Sequence, residues 1–511
     1  MLPATVHSST SLRRTIVLQN KGQHLWLLLL VCVLFSCGSS KRVFNPNKKY
    51  SAQHLQQDYQ LFQNILEERH PGLYWYSSKA TMDSAFQWGN RMITDSMSEV
   101  KFRTVLVAVV AHIKCGHTSV QPSRVYQKFL DTTSQKRSFP VAVKTWKDTM
   151  VLTVPIKGAL LQRGDILDSI NGIAVSSLID TLFRFIPADG GNAVAKSQLL
   201  SGRHYFSTLY TSLYGWPGTF RISYLDSVGL VQQALIQPAR VPKDSLIPKP
   251  VAKTPQKSKA EKLKESRSLK LYEDQHYAVM ELNSFGAKLK LKSFFRQSFR
   301  TLKNSGIDTL VIDLRVNGGG RVNNATLFTR YLVARSFKLA DSLYAVRASS
   351  QYNKYIQNGW LQGCFIRLFT KKVEGKYRYR FFEKHYYKPK RHHHFNGQVY
   401  LLCGGYTYSA SVLALHALKN QSNVLIVGEP TGGGAYGNCA MLIPDVTLPN
   451  SKVRFRLPLF RLVIDKNLPH DGQGLQPDIF AGPSQEAIRR GEDYKMKKVR
   501  ELILEHQQHR L

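Results

Sequence analysis

The amino-acid sequence is poor in cysteine and in acidic residues. Its six cysteines form no Cys-x-x-Cys pair, which argues against a zinc site and against the dense disulfide framework of small secreted proteins. Asp and Glu number 34 against 71 Lys and Arg, which gives a formal net charge of +37. Such a charge often accompanies nucleic-acid binding, but no zinc-finger, RNP or heptad-linked basic motif is present. We therefore expect no metal ion, no other cofactor and no nucleic-acid partner.

The sequence also lacks an apolar run of the roughly 20 residues that a membrane-spanning helix needs. The run at 25–35 is shorter and follows three basic residues, as in a signal peptide. It ends in Leu-Phe-Ser-Cys-Gly at 34–38, which resembles a bacterial lipoprotein box, although the phenylalanine is bulkier than usual. The resemblance implies that 1–37 is a signal peptide with a lipobox and that Cys37 is lipidated. The protein would then be exported and anchored to the bacterial membrane, facing the periplasm or the cell surface; a plain secretory signal or a short membrane anchor is the alternative.

Length and pattern predict several domains. At 511 residues the chain exceeds what one hydrophobic core usually organises. Apolar residues recur at helical spacing over 55–113, so an amino-terminal helical domain is predicted at 50–125. The pattern then changes to short β-rich runs, and Asn-Gly at 171–172 marks a tight hairpin turn. We expect a small domain at 138–238 that resembles a PDZ domain, although its glycine-rich carboxylate loop is not visible and ordinary hairpins would give the same pattern.

A basic, proline-containing stretch at 241–270 is predicted to be an extended linker. After it, strand-like apolar runs alternate with helical patterns. The strand runs are 278–282, 309–314 and 397–403, and the helical patterns are 291–302 and 409–419. This alternation indicates an α/β fold with a largely parallel sheet. We therefore predict a multidomain α/β protein whose core occupies 271–485, followed by a basic carboxyl-terminal helix at 486–511.

Two segments of the predicted core have the residue types of an acyl-transfer site. Residues 313–320, Asp-Leu-Arg-Val-Asn-Gly-Gly-Gly, leave a strand and enter a glycine loop whose backbone N–H groups can point at one anion. No Gly-Lys-Ser/Thr follows, so an oxyanion hole is a better use of this loop than nucleotide binding. Ser409 stands where a strand turns into a helix, near the positive end of the helix dipole, which suits a nucleophile. Each segment alone also fits a plainer role, a tight turn for the glycines and a helix cap for Ser409.

Five short motifs, taken in order, resemble those of the C-terminal-processing, tail-specific and tricorn-core serine peptidases. They are Cys-Gly-His-Thr at 115–118, Asp-Leu-Arg-x-Asn-Gly-Gly-Gly at 313–320, Tyr-Ser-Ala-Ser at 408–411, Gly-Glu-Pro-Thr-Gly-Gly at 428–433 and Gly-Leu-Gln-Pro-Asp at 474–478. Each motif is weak alone, but their shared order is specific and spans roughly 55–479. The processing branch has a lysine base at the position of Gly434, so no lysine dyad is available here. The chain is closer to the tricorn-like branch, which uses a histidine from the amino-terminal helical domain.

The resemblance implies that Ser409 is the nucleophile, His117 its general base and Asp471 the acid that orients the imidazole. The match at Asp471 is the weakest, because the family has glutamate there and the alignment can slip across two glycines. Chemistry agrees with a histidine base, since a serine hydroxyl needs a neutral imidazole within hydrogen-bond reach. His416 lies about two turns further along the helix of Ser409, roughly 10 Å away, which is too far. His470 is the remaining rival to His117.

The resemblance also implies that the backbone amides of Gly319 and Ala410 form the oxyanion hole, with Gly318 and Ser411 in supporting roles. The expected activity is hydrolysis of a peptide or unfolded protein substrate by an exported serine peptidase, through an acyl-enzyme. The competing hypothesis is a non-catalytic carrier of a peptide or an apolar ligand on the same fold, because fold does not fix function. A serine–histidine approach of about 3 Å in a polar cleft favours hydrolysis, whereas a closed apolar pocket favours carriage.

Overall fold

The structure of the chain, a computed structural model, describes residues 45–132, 139–156, 160–238 and 258–508. All of them except Asn45 belong to one compact unit, Pro46–Leu511. The signal segment and Cys37 lie outside the described residues, so the expectations for the amino terminus stay predictions. Within the described ranges, no helix is both long enough and apolar enough to cross a membrane.

The amino-terminal part is helical, as its apolar spacing predicts. Helices α1–α4 are Ala52–Arg69, Lys79–Arg91, Glu99–Ile113 and Arg124–Thr132, and strands β1–β3 are Lys49–Tyr50, Met97–Ser98 and Ser119–Gln121. The first three helices each begin at a serine whose side chain accepts a backbone N–H, which stabilises the helix start. Helix α3 ends at Lys114, whose left-handed φ of 55° turns the chain into the motif at 115–118. The end of a buried helix therefore fixes where that motif lies.

A small β domain follows, with a core of its own. Strands β4–β9 are Val143–Trp146, Thr149–Leu152, Ile166–Ile170, Ile173–Ala174, Phe220–Leu225 and Val231–Ile236, and helices α5–α7 are Val175–Phe183, Ala193–Leu200 and Arg203–Tyr214. The sheet is antiparallel in the order β4-β5-β6-β8-β9, and β7 pairs with β6. Asn171 and Gly172, with φ of 53° and 80°, form the predicted tight turn. The buried apolar side chains of this sheet and its helices form a cluster that begins at Phe139 and ends at Ile236.

The rest of the described chain forms the α/β core and the sheets around it. Strands β10–β22 are Arg267–Tyr272, Tyr277–Leu282, Thr309–Asp313, Ser342–Ala345, Lys371–Val373, Lys376–Arg378, Gln398–Cys403, Val424–Gly428, Gly437–Ala440, Asp445–Thr447, Arg454–Arg456, Phe460–Val463 and Ile479–Phe480. Helices α8–α15 are Lys259–Ser266, Leu291–Asn304, Val322–Arg330, Gly359–Phe369, Arg380–Lys384, Ala410–Leu418, Gln485–Arg490 and Tyr494–Gln508.

The main sheet has the strand order β10-β11-β12-β16-β17-β22. Strand β10 is antiparallel to β11, and every other neighbouring pair is parallel. The predicted multidomain α/β fold with a largely parallel sheet is therefore confirmed. Because β12 and β16 are parallel neighbours, the loops that leave their carboxyl ends meet at one edge of the sheet. Those loops are 314–321 and 404–409, the two segments that the sequence singled out.

Two smaller sheets contain the remaining strands of this part of the chain. One has the order β14-β15-β13-β21-β18, and the other has the order β19-β20-β3. In the second sheet β3, which directly follows the motif at 115–118, pairs antiparallel with β20 of the core. This pairing joins the amino-terminal helices to the core beside the two loops.

The structure differs from the predicted linker at 241–270. Residues 239–257 lie outside the described part, but α8 begins at 259 and β10 pairs with β11 along its whole length. Ser258 and Glu261 form a capping box, a helix-start signal that the high lysine content had masked. The predicted carboxyl-terminal helix is two helices, α14 and α15, because Gly491 ends α14 with a φ of 70°.

Candidate active site

Ser409 occupies the turn between β16 and α13 with φ 54° and ψ −121°. Non-glycine residues rarely adopt such a conformation, which costs on the order of 1–3 kcal/mol. The Ser409 side chain makes no capping hydrogen bond to α13, so the plain role of helix cap does not apply. A serine on a strained strand-to-helix turn has the backbone geometry of an exposed nucleophile.

Asn317 ties the glycine loop to this turn. Its backbone oxygen accepts hydrogen bonds from the Tyr408 amide at 3.1 Å and from the Ser411 hydroxyl at 3.0 Å. Its side-chain amide donates to the Leu282 oxygen at 2.9 Å, and the whole residue is buried. Ser411 thus links the start of α13 to the glycine loop, and its supporting role in the reaction stays a prediction. The role of Asn317 was missed, although this asparagine is part of the motif at 313–320.

Gly319 lies directly against Ser409, the predicted nucleophile. A Cβ atom added there would be 2.8 Å from the Ser409 Cβ and 2.9 Å from the Ala410 nitrogen, and its φ is 94°. The Gly319 amide, however, donates to the Asn317 Oδ1 atom at 3.0 Å, so this predicted oxyanion donor is already engaged. The Ala410 amide makes no hydrogen bond within the described residues. Gly318 is exposed, and a Cβ there would have no neighbour within 4 Å.

His117 approaches from the amino-terminal helical part. Its ring packs edge-on against the ring of Tyr408, with 5.9 Å between the centroids, and Tyr408 directly precedes Ser409. The Nδ1 atom is buried and has no hydrogen-bond partner, and no hydrogen bond joins His117 to Ser409 within the described residues. Burial lowers the pKa of His117, and the positive charge of Arg456 lowers it further, against an opposing effect of Cys115. The imidazole is therefore neutral at pH 7, as a general base must be.

Asp471 and His470 do not join this group. Asp471 is exposed, and its carboxylate accepts the Gln473 amide of its own loop at 2.9 Å. No hydrogen bond or ion pair links Asp471 to His117 within the described chain, so the expected orienting contact is not formed in this structure. The ring of His470 packs among three aromatic rings, with centroid distances of 5.2, 4.9 and 4.7 Å to Trp75, Tyr76 and Tyr436. His470 therefore has a packing role in the structure.

The acid that does contact the His117 loop is Asp189, which the sequence analysis missed. It is 1% exposed, and its carboxylate accepts the Gly116 amide at 2.7 Å and the Gly434 amide at 3.3 Å. The signal was the sequence Asp-Gly-Gly at 189–191, an acid followed by two residues that permit a tight turn. No group of three or more His, Cys, Asp or Glu side chains in the described ranges could hold a metal ion.

A cleft of about 500 Å³ opens beside Ser409. Its lining is mainly apolar and includes Leu343, Tyr379, Phe382, Leu413, Ala440 and Leu462. Asn323 and Asn438 are among its polar lining residues. A concave apolar surface with a few polar groups beside a strained serine can hold one side chain of a bound chain next to the reacting bond.

Residues 276–481 match the profile described as Peptidase family S41. The fold is similar to that of mature CPAF complexed with lactacystin, with a TM-score of 0.61, 14% identity, and 89% of this chain and 98% of that chain covered. Mature CPAF alone gives 0.57 and 13% identity over 86% and 94% of the two chains. The photosystem II D1 C-terminal processing protease gives 0.40 and 14% identity over 86% and 98%. No curated protein matches the chain by sequence. The matched region is under half of the chain and contains the glycine loop and Ser409. This part of the chain is similar to the serine-type peptidases of family S41.

Proposed function

We propose that the chain hydrolyses peptide bonds in peptides or unfolded proteins through an acyl-enzyme on Ser409, with His117 as the general base. The observation that carries this proposal is the strained backbone of Ser409, with φ 54°. The Ser409 hydroxyl makes no capping hydrogen bond to the helix and lies at the edge of a cleft. Strain of this kind persists where the surrounding structure enforces it, and it clusters at reactive sites.

In the proposed reaction His117 takes the proton of the Ser409 hydroxyl as the oxygen attacks the substrate carbonyl carbon. His117 then gives this proton to the leaving amine, and water repeats the sequence to release the acyl group. His117 and Ser409 share no hydrogen bond in this structure, but such bonds often tighten only when substrate is bound. The lowered pKa of His117 supports the role, because it keeps the imidazole neutral.

The Ala410 amide is the oxyanion donor that the geometry supports best, since it is adjacent to the nucleophile and has no other partner within the described residues. Gly319 lies beside it, but the Gly319 amide donates to Asn317. To serve as the second donor, this amide would have to exchange its bond to Asn317 for one to the oxyanion. Asp471 is not part of the proposed catalytic pair, because its carboxylate accepts the Gln473 amide of its own loop.

The carrier hypothesis gains little from the cleft. The lining of the cleft is largely apolar, as a carrier would need. A serine on a strained turn without a capping hydrogen bond, however, contributes nothing to holding an apolar ligand. We propose instead that the cleft receives an apolar side chain of the substrate beside the scissile bond. Substrates with a charged side chain there would have to bury that charge, so their cleavage would be slower.

Export and lipid anchoring are part of the proposal and rest on the sequence at 25–38. The basic excess of the chain would add attraction to anionic lipid. Replacing Cys37→Ala would release the protein from the membrane fraction if the lipid is the anchor. Retention of this variant on the membrane, with no lipid on the wild type, would contradict the anchor.

We also propose that the small β domain is a PDZ-like module that captures peptide by strand addition. Its support is the separate core and an antiparallel sheet whose edge strands are β4 and β9. A fluorescent peptide from a cleaved substrate should then bind the Ser409→Ala protein, and deletion of this domain should remove that binding.

The test of the hydrolytic proposal is covalent labelling with a fluorophosphonate probe, followed by mass spectrometry, together with turnover of a quenched peptide library. We expect label on Ser409 alone and cleavage after apolar residues, with both lost in Ser409→Ala. The matched control is Ser411→Ala, which should still take the label on Ser409. A wild type that neither takes the label nor cleaves any peptide, while binding an apolar ligand tightly, would replace the peptidase with the carrier.

A further inference from the structure

We propose that Asp189 is a positioning residue for this reaction, which rests on the function proposed above. Asp189 belongs to the small β domain. It would hold the loop of His117 and the loop at 432–434 in place around the Ser409 turn. Asp189 touches neither reacting group, so its effect would be on geometry.

Each carboxylate oxygen of Asp189 accepts one amide from a different part of the chain. Oδ1 accepts the Gly116 amide at 2.7 Å, and Gly116 directly precedes His117. Oδ2 accepts the Gly434 amide at 3.3 Å, and Gly434 ends the loop 432–434, which packs against the Ser409 turn. A Cβ on Gly433 would lie 3.2 Å from the Ser409 nitrogen. One buried side chain therefore connects the proposed base loop to the support of the nucleophile.

The turn that carries Asp189 makes further contacts with the same loops. The Gly190 amide donates to the Lys114 oxygen at 3.0 Å, at the end of helix α3. A Cβ on Gly190 would lie 2.3 Å from the Gly472 Cα, so the turn packs directly on the carboxyl-terminal loop. The Asp189 amide lies 3.5 Å from the Tyr408 hydroxyl, and a Cβ on Gly116 would be 2.4 Å from the same oxygen. This turn is thus one of the contacts by which the small β domain reaches the site, together with Asn192, whose side chain donates to the Thr431 oxygen at 3.0 Å. A shift of the turn would move His117 relative to Ser409.

Asp189 lines a small cavity together with Lys114, with which it forms no ion pair in the described part of the chain. Two thiols and two phenols interact electrostatically with Asp189, so that the pKa of one group affects that of the other; they are Cys115, Cys439, Tyr76 and Tyr408. No salt bridge to Asp189 forms within the described residues. Burial raises the pKa of Asp189 to about 7, the nearby Cys115 raises it too, and the two backbone amides act in the opposite direction.

A raised pKa has a defined consequence for stability. The folded state favours the protonated carboxyl, so ionisation of Asp189 opposes folding. This loss of stability accumulates as the pH rises from the ordinary carboxyl pKa of 3.8 and is complete above the folded pKa of about 7. A carboxylate in this position lowers the stability of the protein near neutral pH. A buried carboxyl whose pKa is shifted in this way is typical of a functional site.

The experiment compares Asp189→Asn with Asp58→Asn in the full chain. Asp58 is the matched control, since its carboxylate is also buried and also accepts two backbone amides, from Asn450 at 3.0 Å and Ser451 at 2.7 Å, away from the site.

We expect Asp189→Asn to lower kcat about 10- to 100-fold with little change in KM, because small misplacements of catalytic groups have effects of this size. Its midpoint of urea unfolding at pH 8 should be unchanged or higher. Asp58→Asn should lower that midpoint and leave kcat of the folded protein unchanged.

Two readouts separate failure of this inference from failure of the proposed function. The first is the rate of fluorophosphonate labelling of Ser409, and the second is the NMR signal of the His117 ring with ¹³C-labelled histidine, which needs no turnover. A wild type that labels at Ser409, with an equal rate in Asp189→Asn, would overturn the positioning role and leave the peptidase intact. If the wild type is inert, the peptidase fails, and an unchanged His117 signal in Asp189→Asn would overturn the inference as well. Asp189→Ser, with a smaller uncharged side chain, gives the same comparison if the Asn variant does not fold.

Discussion

Ser409 and His117 do not make the hydrogen bonds that an ordinary structural role would give them. The serine hydroxyl caps no helix, and the buried Nδ1 atom of His117 has no partner within the described residues. A polar atom buried without a partner costs about 1–3 kcal/mol, so the fold keeps both side chains available at some expense. Such an arrangement is expected where the two groups act together on a third molecule.

We expect Ser409→Ala and His117→Ala to abolish peptide hydrolysis to a similar degree, and the double variant to be hardly worse than either. Residues of one catalytic unit are not additive, because removal of either leaves only substrate binding and oxyanion stabilisation. The measurement is kcat/KM on a quenched peptide, with folding checked by thermal melting. Full activity in His117→Ala with loss in His470→Ala would move the base to the carboxyl-terminal loop.

The pH profile should show two ionisations on its acid side. His117 must be neutral to act, and burial sets its pKa below the ordinary value of about 6.5, so a steep fall is expected below that pH. Asp189 must be ionised to hold both amides, and its pKa of about 7 predicts a shallower fall that begins higher. In Asp189→Asn the upper step should vanish and the lower step should remain. A rate that rises only at strongly alkaline pH would instead indicate an amine base.

Sequence patterns point to the proposed catalytic residues more readily than to the residues that position them. Ser409 and His117 stand in short motifs, and the structure puts Ser409 on a strained turn with His117 against the preceding tyrosine. Asp189 stands in no such motif, and its contacts with Gly116 and Gly434 exist only after three distant segments have folded together. Periodicity and spacing cannot report contacts of that kind. The expected role of Asp471 depended on alignment across flexible glycines, where position is least determined.

At the scale of elements, the glycine loop at 317–320 and the start of α13 behave as one packed unit. Hydrogen bonds from Tyr408 and Ser411 to the Asn317 oxygen join them, and Gly319 fills the space between. The close approach and the positive φ of 94° both require glycine at that position. The unit leaves no room for a side chain at position 319 beside Ser409.

Gly319→Ala is therefore expected to lower kcat/KM at least about 100-fold, because its methyl group would push on the Ser409 Cβ and the Ala410 amide. Gly318→Ala should cost much less, since a Cβ there meets nothing within 4 Å. Both variants would be compared by steady-state kinetics and by fluorophosphonate labelling. Equal losses in the two variants would show that loop flexibility, and not the space beside Ser409, controls the activity.

The elements of the core were predictable because each has a strong local pattern. The buried runs that became β11, β12 and β16 are short, apolar and separated by helices, which indicates parallel strands. The stretch that became α8 and β10 was misjudged, because its lysines resemble those of a linker while its capping box is a weaker signal. The strands of the sheet that carries β13 and β21 are short and joined across long separations in sequence, so local periodicity says little about them.

At the scale of the whole molecule, one buried ion pair connects three parts of the chain. The Lys495 ammonium, on α15, lies 2.8 Å from the Glu429 carboxylate of the core and donates to the Cys403 oxygen at 2.9 Å. Lys144, on β4 of the small β domain, lies 3.8 Å from the same carboxylate. Burial lowers the pKa of Lys144, while Glu429 raises it. The end of strand β16, from which the Ser409 turn begins, is thus held by a lysine from the carboxyl-terminal helix.

Lys495→Met should lower the free energy of unfolding by on the order of 3 kcal/mol, because it leaves the buried carboxylate of Glu429 with only the more distant Lys144. The double variant Lys495→Met with Glu429→Gln should recover most of this loss, since it removes the uncompensated charge along with its partner. Lys497→Met is the control on the same helix, where the pair with Glu492 at 3.3 Å is largely exposed and is expected to contribute under about 1 kcal/mol. Urea unfolding followed by tryptophan fluorescence measures all three variants. A loss in Lys495→Met no larger than in Lys497→Met would mean that water reaches Glu429 and that the ion pair does not hold the three parts together.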